Sequence, residues 1–298
     1  MNILPSHPEI NAASLGDFRT YLTSNTDVPK LPMVLQEVLD CSRNPDSNAE
    51  KLSLIIATDA VISAQILKTV NAAYYGFPQQ ITSIKHAIVL LGFKEVTNLA
   101  VGLALMGIMK PKGLDPFYHQ FKLHSLATAQ LSLWLAEKIA FQDKSTIYTG
   151  GLLHDFGLFM LYSWQPEKYQ CIWSNCQKEE KPVFQIERDI LGLDHMVAGS
   201  LVGHLWHLPA PMLLSMNYHH DKHISKHPEA LFISIIQLAH ILSYQLGFPL
   251  HRSLTTPKLP KEIFQLLKKS QPELSLTNIK LWLKEIKPQL EQIPSLAY

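Results

Sequence analysis

The chain predicts an all-α fold in two helical lobes, and three observations carry that expectation. Apolar residues recur at the 3.6-residue spacing of an α-helix along most of the length, while the strict alternation of a strand is nearly absent. Residues that start and stop helices bracket those periodic stretches. A run of lysine, proline and glycine, Lys110-Pro111-Lys112-Gly113, is the clearest linker and separates the first group of helices from the second.

The elements follow in order. Pro32 suits a first helical turn, and Val34, Leu35, Val38 and Leu39 keep the helical period behind it. Asn44-Pro45-Asp46 breaks that helix. Ser47 with Glu50 reads as a capping box before Leu52, Leu54, Ile55 and Ile56. Asp59 reads as the cap of a helix through Ile62, Ile66, Leu67 and Val70, which the turn Gly76-Phe77-Pro78 ends. Two more apolar helices are expected, over Ser83–Leu91 and about Lys94–Met109. Beyond the linker, Asp115-Pro116 starts a long helix reaching about Ala140, and a helix from about Ser145 ends at His154-Asp155-Phe156-Gly157. Asp194 can cap a helix holding His195, Val197, Ala198 and Leu201. Another runs from near Pro211 to Tyr218-His219-His220, and Ala230–Leu246 is a strongly apolar helix containing His240. Two amphipathic helices, about 260–269 and 275–288, close the chain. The expected organisation is an extension of residues 1–27, an N-terminal lobe of 28–112, a second lobe of 113–248 and a tail of 249–298.

A chain of 298 residues buries roughly 75% of the surface its unfolded form exposes, so it needs neither metal nor disulfide to build a core. Apolar residues are 47% and charged residues 17%, and the net charge is +1. That balance argues against electrostatic attachment to nucleic acid or to an anionic membrane. Cys41, Cys171 and Cys176 lack the C-x-x-C spacing of a zinc or redox pair and read as reduced thiols. The start, MNILPSHPEI, has neither a basic nor an apolar signal region. The longest apolar run, Leu99 to Met109, is far short of the ~20 residues that cross a bilayer. The expected location is the cytoplasm.

Chemistry concentrates in His124, His154-Asp155, His195, His219-His220 and His240, each in or beside a helix. Imidazole and carboxylate are the groups that hold a divalent transition metal. Each residue also has a plainer reading. His154-Asp155 can be a helix-end cap, His124 a packed core residue and His195 a first-turn residue. His219-His220 suits the negative end of a helix dipole. His240, in a nearly all-apolar helix, needs a buried partner. Neighbouring helical residues point about 100° apart, so His154 and Asp155 reach one centre only where the helix ends or bends, a freedom assigned to Gly157.

The order His, His-Asp, His, His-His, with a further ligand on a last helix, resembles the HD superfamily of metal-dependent phosphohydrolases. LPMVLQEVLD, TDAVISAQILKTVNAAYYGFPQQITSIKHAIVLLGFKEVTNLAVGLAL, HSLATAQLSLWLA, GGLLHDFGL and DHMVAGSLVGHLWHLP are together similar to the HDOD domain, a module of bacterial signalling and regulatory proteins. The likeness runs from about Val28 to Leu246. It implies metal ligands at His124, His154, Asp155, His195, His219 and His220, with His240 as the seventh. Two positions depart from the HD pattern. Gln237-Leu238-Ala239-His240 stands where HD enzymes usually have L-A-D, and Leu158 stands where active members often place a lysine near substrate phosphate. No G-Y-P follows His219-His220-Asp221, so similarity to the cyclic-di-GMP-degrading branch stops at the ligands. An imidazole-rich set favours Fe, Ni or Zn over Mg or Mn; the expected cofactor is one or two divalent transition-metal ions, Fe, Ni, Zn or Mn.

Three functions are weighed. The first is a regulatory module, non-catalytic or weakly catalytic, that binds metal or a small ligand and serves a signalling partner protein. The second is a metal-dependent phosphohydrolase acting on a nucleotide or phosphodiester, with Asp155 as the metal-bridging catalytic carboxylate. The third is a helical scaffold whose histidines fill a core. No nucleic-acid or membrane partner is expected, and the tail helices can either cover the lobes or form a homodimer. Tyr74-Tyr75 and Phe77 are read as packing between the lobes, and Trp164, Trp173 and Trp206 as core.

Overall fold

Capping residues and breakers place the helices. The structure, a computed structural model, describes residues 10–24, 28–71, 77–109, 116–251, 254, 256–291 and 293. Among them are sixteen helices and no strand, so the fold is all-α. The chain divides into two compact units, Pro29–Lys110 and a larger one joining Met1–Val28 to Pro111–Tyr298. The linker Lys110-Pro111-Lys112-Gly113 lies outside the described residues, as do Tyr74-Tyr75, Gly76 and Asp115. The extension before residue 28 holds a helix that periodicity did not announce, α1 (Ala12–Ser24), which packs within the larger unit with Phe18 fully buried.

The smaller unit contains α2 (Met33–Arg43), α3 (Ala49–Ala57), α4 (Ala60–Val70), α5 (Ile84–Leu91) and α6 (Phe93–Ile108). Pro32 precedes α2, and Asn44 ends it. The cap of α3 is Asn48, whose side chain accepts from the Lys51 amide at 2.9 Å. The capping box expected at Ser47 is therefore corrected by one residue: Asn48 Oδ1 reaches the third amide of the helix, and Ser47 sits too early to do so. Asp59 caps α4 through the amides of Val61 and Ile62, and Ser83 caps α5. α6 packs on the other four helices and buries Val96, Leu99, Ala100, Val101 and Leu105. Asn71 stitches the chain after α4, donating to the carbonyls of Leu67 and Ile81 and accepting the Ile81 amide, each at 2.8 Å.

The larger unit adds α7 (Pro116–Lys138), α8 (Lys144–Leu153), α9 (Phe156–Trp164), α10 (Pro166–Glu179), α11 (Val183–Leu191), α12 (His195–Leu205), α13 (Ala210–Tyr218), α14 (Ala230–Gln245), α15 (Lys261–Ser270) and α16 (Leu276–Leu290). α7 packs against α8 and α14, while α12 packs against α9 and α13. α15 lies on α14 and α16 on α7, burying Ile263, Leu267, Ile286 and Leu290, so both tail helices cover the larger unit. Burying each such side chain contributes roughly 1.5–3 kcal/mol. No single described helix is long and apolar enough to cross a membrane. α3 and α4 reach that content only as a pair, bent by 118°.

Candidate metal centre

Five chain segments deliver the seven residues to one place. His124 is on the buried side of α7, His240 on α14, His195 is the first residue of α12, and His219-His220 follows the last turn of α13. His154 ends α8, and Asp155 turns the chain into α9 at φ −95° and ψ 11°. That turn needs no left-handed residue, which corrects the role assigned to Gly157. Gly157 lies inside α9, where a Cβ would stand 1.9 Å from the carbonyl oxygen of His195 and 2.4 Å from the Gly199 amide. Its missing side chain lets α9 and α12 touch. Asp194 fixes the entry to α12, accepting the Val197 amide at 3.0 Å and pairing with Arg188 at 2.6 Å.

Backbone carbonyls set the tautomers. His124 Nδ1 donates to Phe248 O at 2.7 Å, His154 Nδ1 to Gly151 O at 2.7 Å, and His219 Nδ1 to Ser215 O at 2.8 Å. With the proton on Nδ1, each Nε2 carries a lone pair. Those lone pairs converge. His124 Nε2 lies 3.3 Å from His154 Nε2, and His240 Nδ1 lies 3.2 Å and 2.9 Å from the same two atoms. Asp155 Oδ2 is 3.0 Å from His154 Nε2 and 3.2 Å from His124 Nε2, yet meets no hydrogen-bond geometry. Buried acceptors gathered this closely, with the His240 ring as the one possible donor among them, are costly to desolvate unless a cation joins them.

The other oxygen of Asp155 faces a second group. Oδ1 is 3.1 Å from His219 Nε2 and 3.5 Å from His195 Nε2, and those two nitrogens are 3.1 Å apart. The candidate donors therefore fall into two sets, His124-His154-Asp155-His240 and Asp155-His195-His219-His220, sharing the one carboxylate. His195 is held from behind by Glu187, which accepts its Nδ1 at 2.6 Å and its backbone amide at 2.9 Å. Tyr169 donates to the other Glu187 oxygen at 2.8 Å. A carboxylate behind a histidine fixes ring orientation and raises its basicity as a ligand.

Electrostatics follow the same division. Burial would raise the Asp155 carboxyl, but the imidazoles of His154, His124 and His219 gathered on it hold it well below the usual carboxylate range. Burial brings His154 down to about 4 against the pull of Asp155, and takes His220 and His240 well below the ordinary imidazole value. His195 goes the other way, to about 9: burial acts to lower it, and the charge and hydrogen bond of Glu187 outweigh burial. His154, His220 and His240 are thus neutral around an ionised Asp155, as ligands are, while His195 keeps a proton that a metal would have to displace.

The structure thus brings all seven sequence-predicted residues together; His220 alone is half-buried. Sequence reasoning missed Glu187, Tyr169 and Gln237. The signal for Glu187 was a carboxylate on the apolar side of α11, between the buried residues Ile186 and Leu191. Gln237 Nε2 donates to the carbonyls of Tyr218 and Asp221, both at 2.7 Å, and so clamps the His219-His220 turn to α14. A cavity of about 300 Å³ reaches the cluster, with Asp155, His219, His220 and His240 in its lining.

The HDOD domain family model matches residues 28–222. An uncharacterized protein of Treponema pallidum (strain Nichols) is 24% identical over 222 residues, 74% of this chain and 42% of that protein, so the chain spans less than half of that relative's length. The crystal structure of an HDOD domain protein of unknown function from Geobacter sulfurreducens has a TM-score of 0.71 at 19% identity, covering 96% of this chain and 97% of that one. A protein of Shewanella amazonensis SB2B, provisionally assigned as a phosphohydrolase, has a TM-score of 0.69 at 20% identity, covering 96% and 98%. At these identities the likeness is one of fold.

Proposed function

The chain belongs to the HDOD domain family, and from that membership we propose that it is a regulatory protein, non-catalytic or weakly catalytic, whose larger unit holds one or two divalent transition-metal ions. The observation that carries the metal reading is the convergence of the His124, His154 and His219 Nε2 lone pairs on the two oxygens of ionised Asp155. The nitrogen-rich donor set suits Fe, Ni or Zn better than Mg or Mn. When bound, such ions supply Lewis acidity at the cluster. Support for the regulatory half comes from two side chains. Leu158, where active HD enzymes often carry a lysine, is fully buried and packs in the core. His240 brings imidazole where those enzymes bring a carboxylate.

Elemental analysis of the purified chain, beside His154→Ala and Asp155→Ala, tests the metal reading. The expected result is near-stoichiometric metal in the parent and loss in both variants. A chain that stays metal-free after reloading would return the histidines to the status of packing residues. Phosphatase and phosphodiesterase assays on the loaded chain test the regulatory half, and turnover above ~1 s⁻¹, an ordinary enzymic rate, would overturn it. That outcome would favour the second reading, a phosphohydrolase acting on a nucleotide or phosphodiester. The cavity that reaches Asp155 is the observation on its side. There Asp155→Ala would abolish turnover and leave the fold intact.

A further inference from the structure

We propose that the cavity over the cluster is a binding site for a small amphiphilic oxyanion, a phosphate-type head on a compact apolar body. The inference rests on the metal-holding reading for the floor of the site, where Asp155, His219, His220 and His240 lie. The volume, about 300 Å³, is at the bottom of the range of small-molecule sites and too small for a dinucleotide. Three segments give it apolar walls: Val183 and Phe184 from α11, Ile241 from α14, and Leu250, Leu254 and Pro257 from the segment before α15. An apolar body is what such walls take from water.

The charges select the head. Lys181, Lys222 and Lys258 all line the cavity. Lys181 is already shared by Glu179 at 2.6 Å and Asp189 at 3.9 Å. Lys222 and Lys258 have no carboxylate partner among the described residues, and Glu180 is the one acid in the lining besides Asp155. Two free ammonium groups form charge-assisted hydrogen bonds with an oxyanion. A phosphate-type head brings three acceptor oxygens to the lysines and the floor, where a carboxylate brings two. His240, also in the lining, has an Nε2 with no hydrogen-bond partner. Lys258, Leu250 and Leu254 lie beyond the 28–222 family match, so this recognition belongs to the chain's own tail segment.

Isothermal titration of the full chain with phenylphosphonate, which cannot be hydrolysed at its P–C bond, tests the assignment. Metal content is measured on the same samples. Methylphosphonate supplies the head alone, benzoate a carboxylate head and benzyl alcohol the body alone. Phenylphosphonate is expected to bind, with the three partial probes at least about tenfold weaker. The exposed-site double variant Lys222→Gln/Lys258→Gln is expected to weaken it by about 10- to 100-fold while keeping its metal and its helical circular dichroism. Metal-loaded chain that ignores phenylphosphonate overturns the inference and leaves the metal reading standing. So does equal binding by the double variant, by methylphosphonate or by benzoate. If the chain holds no metal, the metal reading fails by itself. Lysine-dependent binding to that metal-free chain would still support the site, and its absence would overturn it.

Discussion

Glu187 takes both hydrogens that His195 presents on its inner side, Nδ1 at 2.6 Å and the backbone amide at 2.9 Å. One carboxylate thereby fixes the start of α12 and the ring that starts it. His195 Nε2 is left facing His219 Nε2 and Asp155 Oδ1. Across the cluster, His124, His154 and His219 are held by carbonyls instead, so His195 is the one member whose ring is anchored by a charge.

Glu187→Gln keeps the shape of that anchor and removes its charge. Partners of this kind typically contribute 10- to 100-fold to metal affinity. Competition with a chelator of known affinity is expected to show a loss of about that size, with unfolding still cooperative. Unchanged affinity would mean that Glu187 serves α12 alone.

Asp155 and His240 make different contributions to the two donor sets. Asp155→Asn removes the only residue common to both, whereas His240→Ala touches only the set containing His124 and His154. If the chain carries two ions, metal-to-protein ratios are expected to fall to near zero in the first variant and by about half in the second. Equal losses in both would argue for a single ion.

Much of this was legible in the sequence, and the reasons are physical. Asp59, Ser83 and Asp194 cap helices because a short polar side chain before an apolar periodic run has few other uses. The seven residues that the structure brings together were legible as six imidazoles and a carboxylate in or beside apolar helices, grouped by their resemblance to the HD pattern. Their partners were not. Gly151, Ser215 and Phe248 act through main-chain carbonyls, which carry no side-chain signature. Glu187 reaches His195 across the turn between α11 and α12, whose geometry periodicity does not fix. The linker and Tyr74-Tyr75 fall outside the described residues.

The metal-free chain is expected to be most stable near pH 6.5. His154, at about 4 folded against 6.5 unfolded, is protonated in the unfolded chain first, so stability falls as pH drops from 6.5 toward 4. His195, at about 9 folded, holds a proton that the unfolded chain has lost, so its contribution is full below 6.5 and disappears as pH rises through 9. Each arm is on the order of 3 kcal/mol. Melting temperatures in chelator across pH 4–9.5 would trace both arms, and Glu187→Gln should flatten the alkaline one. Because metal must displace the His195 proton below pH 9, loading is also expected to release protons, visible as a buffer-dependent heat. A flat alkaline arm in the parent chain would rule out an imidazolium at His195.

Gly157→Ala tests whether the contact of α9 with α12 sets the site. The added methyl would stand 1.9 Å from His195 O and 2.4 Å from Gly199 N, both main-chain atoms that no rotamer change can move. Relief therefore requires the two helices to separate. Overpacking of this kind costs roughly 1–3 kcal/mol, and rigid backbone on both sides puts this case at the upper end. Separation would also carry His195 away from Asp155, since His195 supplies the clashing carbonyl. Urea unfolding should show the loss in stability, and chelator competition a weakened metal site even where the variant remains folded. The control is Gly16→Ala on α1, where a Cβ meets nothing within 4 Å and neither property should fall. A Gly157→Ala chain with parental stability and metal content would show that α9 and α12 can part without disturbing the centre.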